Sequence, residues 1–266
     1  LLKVLAEKGI SREKVTHVMP THVHLDHAGG AGALMQEFPN AVLVVHPRGA
    51  RHMIDPAKLI AGTVDVYGEE ITQKLYGKIF PVPEERVLIA EDESRIDFHG
   101  RSLLFLDAPG HARHHYCVID ESTNNLFSGD NFGISYREFD NENGAFIFPT
   151  TTPVQFDPEA MRKTLDRLLS YNPQAVYLTH FGRVTNVEKL GSELLNCLDQ
   201  LVEMALALKQ EGKAQQDSLA SGVQQILRDR LRKHNCQLPE SRQDELLAFD
   251  YQLNAQGIKV WLDRLD

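Results

Sequence analysis

A mixed α/β body running to about residue 186, then an all-helical tail, is the fold class that this 266-residue sequence predicts. Three observations lead there. Short apolar runs bounded by Gly, Pro or polar turns alternate with helical stretches through the first two thirds of the chain. From Val187 onward the apolar spacing is helical to the end. Six of the 12 histidines fall in two short stretches, Thr21–His27 and Gly110–His115, each following a predicted strand.

Taken in order, Leu1–Lys8 reads as the last turns of an amphipathic helix with Leu1, Leu2, Leu5 and Ala6 on one face. Val15–Met19 and Ala41–Val45 are apolar runs suited to buried strands, with a helix over Gly29–Phe38 between them. Pro47–Leu59 and Thr63–Leu75 read as two helical or loop-rich pieces parted at Gly62. Val87–Ala90, Ser94–Phe98 and Ser102–Asp107 are expected to form a ladder, with Gly100 in a hairpin turn. Tyr116–Asp120 and Asn125–Ser128 make a second pair, joined by Glu121–Asn124. Asn131–Asp157 mixes Gly, Pro and aromatic residues without a period, as a long functional loop does. Pro158–Ser170 is a helix with Asp157 as its N-cap, and Ala175–Leu178 a strand. Helices are expected at about 187–212, 217–234 and 241–265.

Composition narrows the function. Lys plus Arg total 28 against 37 Asp plus Glu, a net charge of −9, and no basic stripe is visible. That argues against a nucleic-acid partner, because tracking phosphates needs clustered cations. The longest apolar runs are too short to span a bilayer, and Leu1–Ile10 lacks the form of a signal peptide, so no membrane partner and a cytoplasmic location are expected. Cys117, Cys197 and Cys236 are odd in number, form no CxxC pair and read as reduced, at least partly buried thiols.

The segment Thr21-His22-Val23-His24-Leu25-Asp26-His27 carries the chemistry. Residues two apart in an extended stretch point the same way, so His22 and His24 can converge on one ion. The turn that follows brings Asp26 and His27 toward a neighbouring one. Imidazole and carboxylate suit zinc and similar metals. Chance gives this pattern on the order of once or twice in a thousand chains of such composition. His111 follows Ala108-Pro109-Gly110, Asp130 follows Ser128-Gly129, and His180 precedes Phe181-Gly182, each just past a strand end.

The order His-x-His-x-Asp-His, Pro-Gly-His, Ser-Gly-Asp, Thr-His resembles the metallo-β-lactamase superfamily, in its glyoxalase II and lactonase-like branch, over about residues 1–186. The resemblance implies a four-layer αββα sandwich with a dinuclear site at one edge, and a C-terminal helical extension at 187–266. It implies that His22, His24 and His111 hold the first metal. Asp26, His27 and His180 would hold the second, with Asp130 bridging. Two divalent ions, zinc by default and iron or manganese alternatively, would then activate a water for attack on a thioester, ester or lactone of a small or medium acyl compound. Asp26 would help move a proton. Members usually begin with a strand hairpin, whereas this sequence opens inside a helix, so N-terminal strands are expected to be missing from it.

Around the ligands, His115 is expected to support the site or pack behind it, and His114 is a side chain that could face the pocket. Phe132, Tyr136, Phe146 and Phe148 either pack the long loop or wall the pocket, and Tyr136 offers a hydroxyl. His17, His46, His52, His99 and His234 read as ordinary packing or surface histidines, and Thr150, Thr151 and Thr152 as turn and capping residues. Leu194, Leu198, Leu201, Met204 and Leu208 line one helical face, so the tail, with Trp261 as an anchor, is read as a lid, a homodimer surface, or both. Two rivals share the scaffold: an iron-dependent oxidoreductase resembling the persulfide dioxygenases, and a non-catalytic metal-bound sensor.

Overall fold

Parallel strands need a long connection to return the chain to the same end of a sheet, and the first third of this sequence supplies helices for that purpose. A computed structural model describes residues 1–152 and 154–265. By contact they divide into two units, Leu1–Arg95 with His114–Tyr116, and Ile96–Arg113 with Cys117–Asp266.

The first unit opens with helix α1 (Leu2–Glu7) and strand β1 (His17–Val18), then α2 (Leu25–Ala28), α3 (Ala31–Glu37) and strand β2 (Val42–Val45). Helices α4 (Pro47–Ile54), α5 (Ala57–Tyr67) and α6 (Glu69–Tyr76) lead to β3 (Val87–Ile89). The strands form a parallel sheet in the order β1-β2-β3, with His17 opposite Val42 and Leu43 opposite Val87. Val23, Met35, Phe38, Leu43, Val45 and Met53 form its core. Arg86 ties the layers together. Its guanidinium donates to the carbonyls of Met35, Phe38 and Ala41, which the end of α3 and the approach to β2 leave over. His46, expected to be an ordinary histidine, caps α4 by accepting from the Arg48 N–H at 3.1 Å.

Two sequence expectations change here. Val87–Ile89 does not begin the later ladder but lies parallel to β2 in this first sheet. The turn after it, with Glu93 at φ +60°, separates it from the next strand. A three-residue apolar run carries no information about its partner, so only tertiary pairing could decide. Gly62 lies inside α5, and the breaks fall instead around Pro56 and at Gly68, whose φ is +82°.

The second unit holds a six-stranded sheet of β4 (Arg95–Phe98), β5 (Arg101–Asp107), β6 (Tyr116–Asp120), β7 (Asn125–Gly129), β8 (Ala175–Leu178) and β9 (Gly182–Val184), hydrogen-bonded in that order. The turn joining β4 and β5 places His99 and Gly100 at φ +53° and +85°, as a two-residue hairpin requires. Helix α7 (Pro158–Ser170) connects the parallel pair β7 and β8, and Asp157 caps it by accepting from the Ala160 N–H at 3.0 Å. The short strand β9, antiparallel to β8, was not anticipated from the sequence. Its three residues fall below any periodicity signal.

Helices α8 (Val187–Gln210), α9 (Gln216–Lys233) and α10 (Glu240–Asp263) complete this unit. They share one core with the sheet: Leu104, Leu126, Phe132, Phe148 and Val176 pack in the same cluster as Leu194, Leu198, Leu201, Leu227 and Ile258. Each fully buried leucine contributes roughly 1.5–3 kcal/mol. An exposed ion pair such as Arg232–Asp229 adds only about 0–1 kcal/mol. Packing therefore holds the tail down. Trp261 meets Phe156 edge to face, 6.2 Å between centroids, in the anchoring role expected of it. Among the described residues, no helix is long and apolar enough to cross a membrane.

One face of α10 carries polar groups into the core. Asp250, buried, accepts a hydrogen bond from the Tyr136 hydroxyl at 2.8 Å. Burial pushes its carboxyl up to about 6, against the opposing pull of that hydrogen bond and of His180.

Two outcomes follow from this packing. Gly32→Ala should lower stability by roughly 1–3 kcal/mol despite alanine's better helix propensity, because the new methyl would sit 1.9 Å from the Phe80 carbonyl oxygen. Thermal melting reads this directly. For Asp250 the folded state holds a proton that the unfolded chain has lost between about pH 4 and pH 6, so its contribution to stability falls as pH rises through that window, by at most on the order of 3 kcal/mol. Denaturant melts of Asp250→Asn across the same range should show a shallower decline.

Candidate metal centre

Ligands are useful only if the backbone aims them, and in the first unit the aim comes from an extended stretch that turns abruptly into a helix. Residues 21–24 run on from β1, and His24, with φ −61° and ψ 147°, is the N-cap of α2. Alternation then sorts the side chains. Val23 is buried in the apolar core against Gly49, where an added Cβ would lie 2.9 Å from the Val23 side chain. His22 and His24 face the other way, His22 Nε2 standing 3.0 Å from His24 Nδ1. One helical turn brings in the remaining pair: the His27 ring lies 4.0 Å from that of His22, and its Nε2 is 3.1 Å from Asp26 Oδ2.

The segment His114–Tyr116 closes this group from the side. The Tyr116 N–H donates to the Thr21 carbonyl at 3.0 Å, and its hydroxyl donates to Val44. His115, fully buried, stacks 4.8 Å from His22. His114 Nδ1 accepts from the Val23 N–H at 3.4 Å, and its ring lies 5.3 Å from that of His24. Both therefore pack against the His22–His24 stretch.

The second unit places three more candidate ligands at strand ends. Gly110, at φ +133°, lies so close to α7 that a Cβ would sit 2.4 Å from the Met161 Cα. That contact fixes where His111 begins. The His111 N–H donates to Asn131 Oδ1 at 3.2 Å, while Asn131 Nδ2 donates to the Ala108 carbonyl at 2.6 Å. The His111 ring Nδ1 lies 3.1 Å from the Thr150 carbonyl oxygen. A carbonyl only accepts, so Nδ1 carries a proton, and in the neutral ring Nε2 would be the nitrogen that faces a metal. That Nε2 is 3.5 Å from Asp130 Oδ2, and His180 Nε2 is 3.8 Å from Asp130 Oδ1.

A register shift between Phe127 and Gly129 turns β7 at its end and re-aims the next residue, Asp130. His180 depends on a strained neighbour. Phe181 sits at φ +75°, and Arg137 clamps it by donating to the carbonyls of Phe181 and Arg183 at 2.6 and 3.2 Å.

The residues fit a transition metal. Two nitrogens on one tetrahedral zinc, each 2.0–2.1 Å from it, stand roughly 3.3–3.4 Å apart. His22 and His24, at 3.0 Å, need move only a few tenths of an ångström. Apolar packing alone gives no reason to gather the imidazoles of His22, His24 and His27 so tightly, nor to bury the Asp130 carboxylate beside those of His111 and His180.

Within the first unit, then, the structure gathers His22, His24, Asp26 and His27, and within the second His111, Asp130 and His180. Phe132, Phe146 and Phe148 are buried in the core of the second unit, the packing role of the two considered. Tyr136 gives its hydroxyl to Asp250 and packs 4.3 Å from the Phe181 ring. Sequence reasoning missed Asn131, Arg137, Asp250 and Asn254. For the last two, the available signal was a pair of polar residues four apart on an otherwise apolar helix face.

A family model described as the metallo-β-lactamase superfamily matches residues 1–180. The chain is 28% identical over 201 residues to the metallo-β-lactamase fold-containing protein ST1585 of Sulfurisphaera tokodaii, spanning 69% of this chain and 70% of that protein. The crystal structure of ST1585 superposes with a TM-score of 0.59 at 26% identity, covering 71% of this chain and 69% of the other. TTHA1429 of Thermus thermophilus, a metallo-β-lactamase family protein, shares the fold with a TM-score of 0.59 at 23% identity, over 77% of this chain and 68% of its own. An atrochrysone carboxyl ACP thioesterase of Pseudocercospora fijiensis is 24% identical over 209 residues, 78% of this chain but 47% of that enzyme, so the chain spans about half its length. The fold matches that of these proteins, with α8–α10 lying beyond the residues that the family model covers.

Proposed function

This chain belongs to the metallo-β-lactamase superfamily, and on that premise we propose that it is a metal-dependent hydrolase cleaving a thioester, ester or lactone of a small or medium acyl compound. The observation that carries the reading is the hydrogen bond from His111 Nδ1 to the Thr150 carbonyl, which aims Nε2 at the buried Asp130 carboxylate and, in the neutral ring, leaves it the nitrogen free to bind a metal. That is the state a metal ligand requires. The thioesterase among the relatives supports an acyl substrate.

In this proposal His22, His24 and His111 hold one ion, Asp26, His27 and His180 a second, and Asp130 serves both. Zinc is the first choice, since imidazole and carboxylate suit it, with iron or manganese as alternatives. Bound there, the ions would supply an acidified water and stabilise negative charge on a carbonyl oxygen. The protein's own part is to hold and move protons. Asp26 is nearly half exposed and lies against His27, so it can exchange a proton with solvent while staying oriented.

Residues 1–186 would form the catalytic domain. The helices from 187 on would shape the substrate entrance, pair two copies, or both. A reducing, cytoplasmic setting is in keeping with Cys117 and Cys197, whose burial pushes their thiols up, that of Cys197 to about 11.

His24→Ala and Asp130→Ala should each lose bound metal, and turnover of a thioester, ester and lactone panel should drop at least about a hundredfold. Metal analysis and steady-state kinetics on the same preparations test this, and a His24→Ala protein keeping both would end the proposal. Asp26→Asn with its metals retained should slow turnover about 10²–10⁴-fold. One iron per chain with oxygen uptake would point to the oxidoreductase instead, and silence across the whole panel with metal bound to the sensor.

A further inference from the structure

We propose that Asn254, on the C-terminal helix α10, is a positioning residue for the metal ligand His111, acting through the strap Thr150–Thr152. The inference rests on the reading of His111 as a ligand and adds to it the part of the chain that sets its protonation.

The path is continuous within the second unit. Asn254 is buried on a helix face that also carries Leu247, Asp250, Tyr251, Ala255 and Ile258. A buried amide oxygen costs free energy unless it accepts a hydrogen bond. That of Asn254 is satisfied by one residue. The Thr151 N–H donates to Asn254 Oδ1 at 2.6 Å, and the Thr151 hydroxyl donates to the Asn254 carbonyl at 2.9 Å while also lying 3.0 Å from Oδ1. One turn on, Gly257 lets the strap lie directly against the helix: a Cβ there would be 1.3 Å from the Thr151 carbonyl oxygen. Thr151 is thus gripped from both sides and is itself fully buried.

What this grip fixes is the residue before it. The Thr150 carbonyl, whose orientation follows from the peptide plane shared with Thr151, accepts the His111 Nδ1 proton at 3.1 Å. The Thr152 hydroxyl stands 3.4 and 3.5 Å from the two ring nitrogens of His111. A neutral imidazole can carry its proton on either nitrogen, and only one choice leaves Nε2 able to bind metal. Moving that carbonyl out of hydrogen-bonding range removes the bias. The helices beyond the family-matched region therefore contribute to metal affinity as well as to packing.

The test uses the full chain and three variants. Asn254→Ala removes the side-chain oxygen that holds the Thr151 N–H, and Asn254→Asp keeps an oxygen able to accept from it. Trp261→Phe disturbs the packing of α10 on Phe156 without touching the path to His111. Zinc affinity is measured by competition with a chromogenic chelator, and the His111 tautomer by long-range 1H–15N spectra of the metal-free protein. Asn254→Ala should weaken zinc about 10–100-fold and mix the two His111 tautomers. Asn254→Asp should recover most of both, and Trp261→Phe should lower the melting temperature while leaving both unchanged. If Asn254→Ala fails to fold, Asn254→Ser, too short to reach both Thr151 groups, takes its place with the same expected loss. Tight zinc binding with His111 still protonated at Nδ1 in the alanine or serine variant would overturn the inference. A parent chain that binds no zinc would instead overturn the metal reading, and the tautomer spectra would still decide the role of Asn254.

Discussion

A carboxylate taken out of water needs compensating charge or hydrogen bonds, and in the second unit much of the architecture serves that one requirement at Asp130. An imidazole nitrogen stands 3.5 Å from one of its oxygens, from His111, and 3.8 Å from the other, from His180, longer than hydrogen bonds, so a cation held there would supply the compensation. Each of those rings is in turn held by backbone that could not easily be elsewhere. Gly110 has no room for a side chain against α7, and Phe181 is kept in a left-handed conformation by the Arg137 clamp. A register shift at the end of β7 turns Asp130 itself to its place. Removing any of these supports leaves a buried charge misplaced, which is dearer by several kcal/mol than losing an apolar contact.

The first unit solves a related problem by different means. Four candidate ligands arise from six consecutive residues, because an extended stretch and a helical turn have different periods and together face four side chains the same way. Val23, the residue that faces away, is what fastens the stretch to the core. Support there comes from His114–Tyr116, hydrogen-bonded along residues 21–23. The two halves thus share a logic: short-range geometry chooses the direction of each ligand, and packing on the opposite face keeps it.

The C-terminal helices join the second unit as full members of its core, since their leucines and the sheet's apolar residues form one cluster. They bring polar side chains as well as apolar area. Asp250 holds Tyr136, and Asn254 holds Thr151, both in the long segment that follows Asp130. Buried polar bonds of this kind add little net stability, about 0.5–1.5 kcal/mol each, but leaving one unmade costs more. They select one conformation of a segment whose sequence has no period of its own.

By itself the sequence determined the helix and strand positions with strong periodicity, the capping of α7 by Asp157, the hairpin at Gly100 and the run of helices from Val187 on. The seven candidate ligands were legible for the same reason: a metal demands particular residue types at particular local spacings, and both are written in the chain. Tertiary structure alone assigned β3 to the first sheet, added β9, carried α5 through Gly62 and gave Phe132, Phe146 and Phe148 to the core. It alone joined Asn254 to His111 through residues about a hundred positions away. Local spacing encodes which way a side chain points, whereas the partner it meets depends on where distant segments come to rest, and no short window of residues contains that.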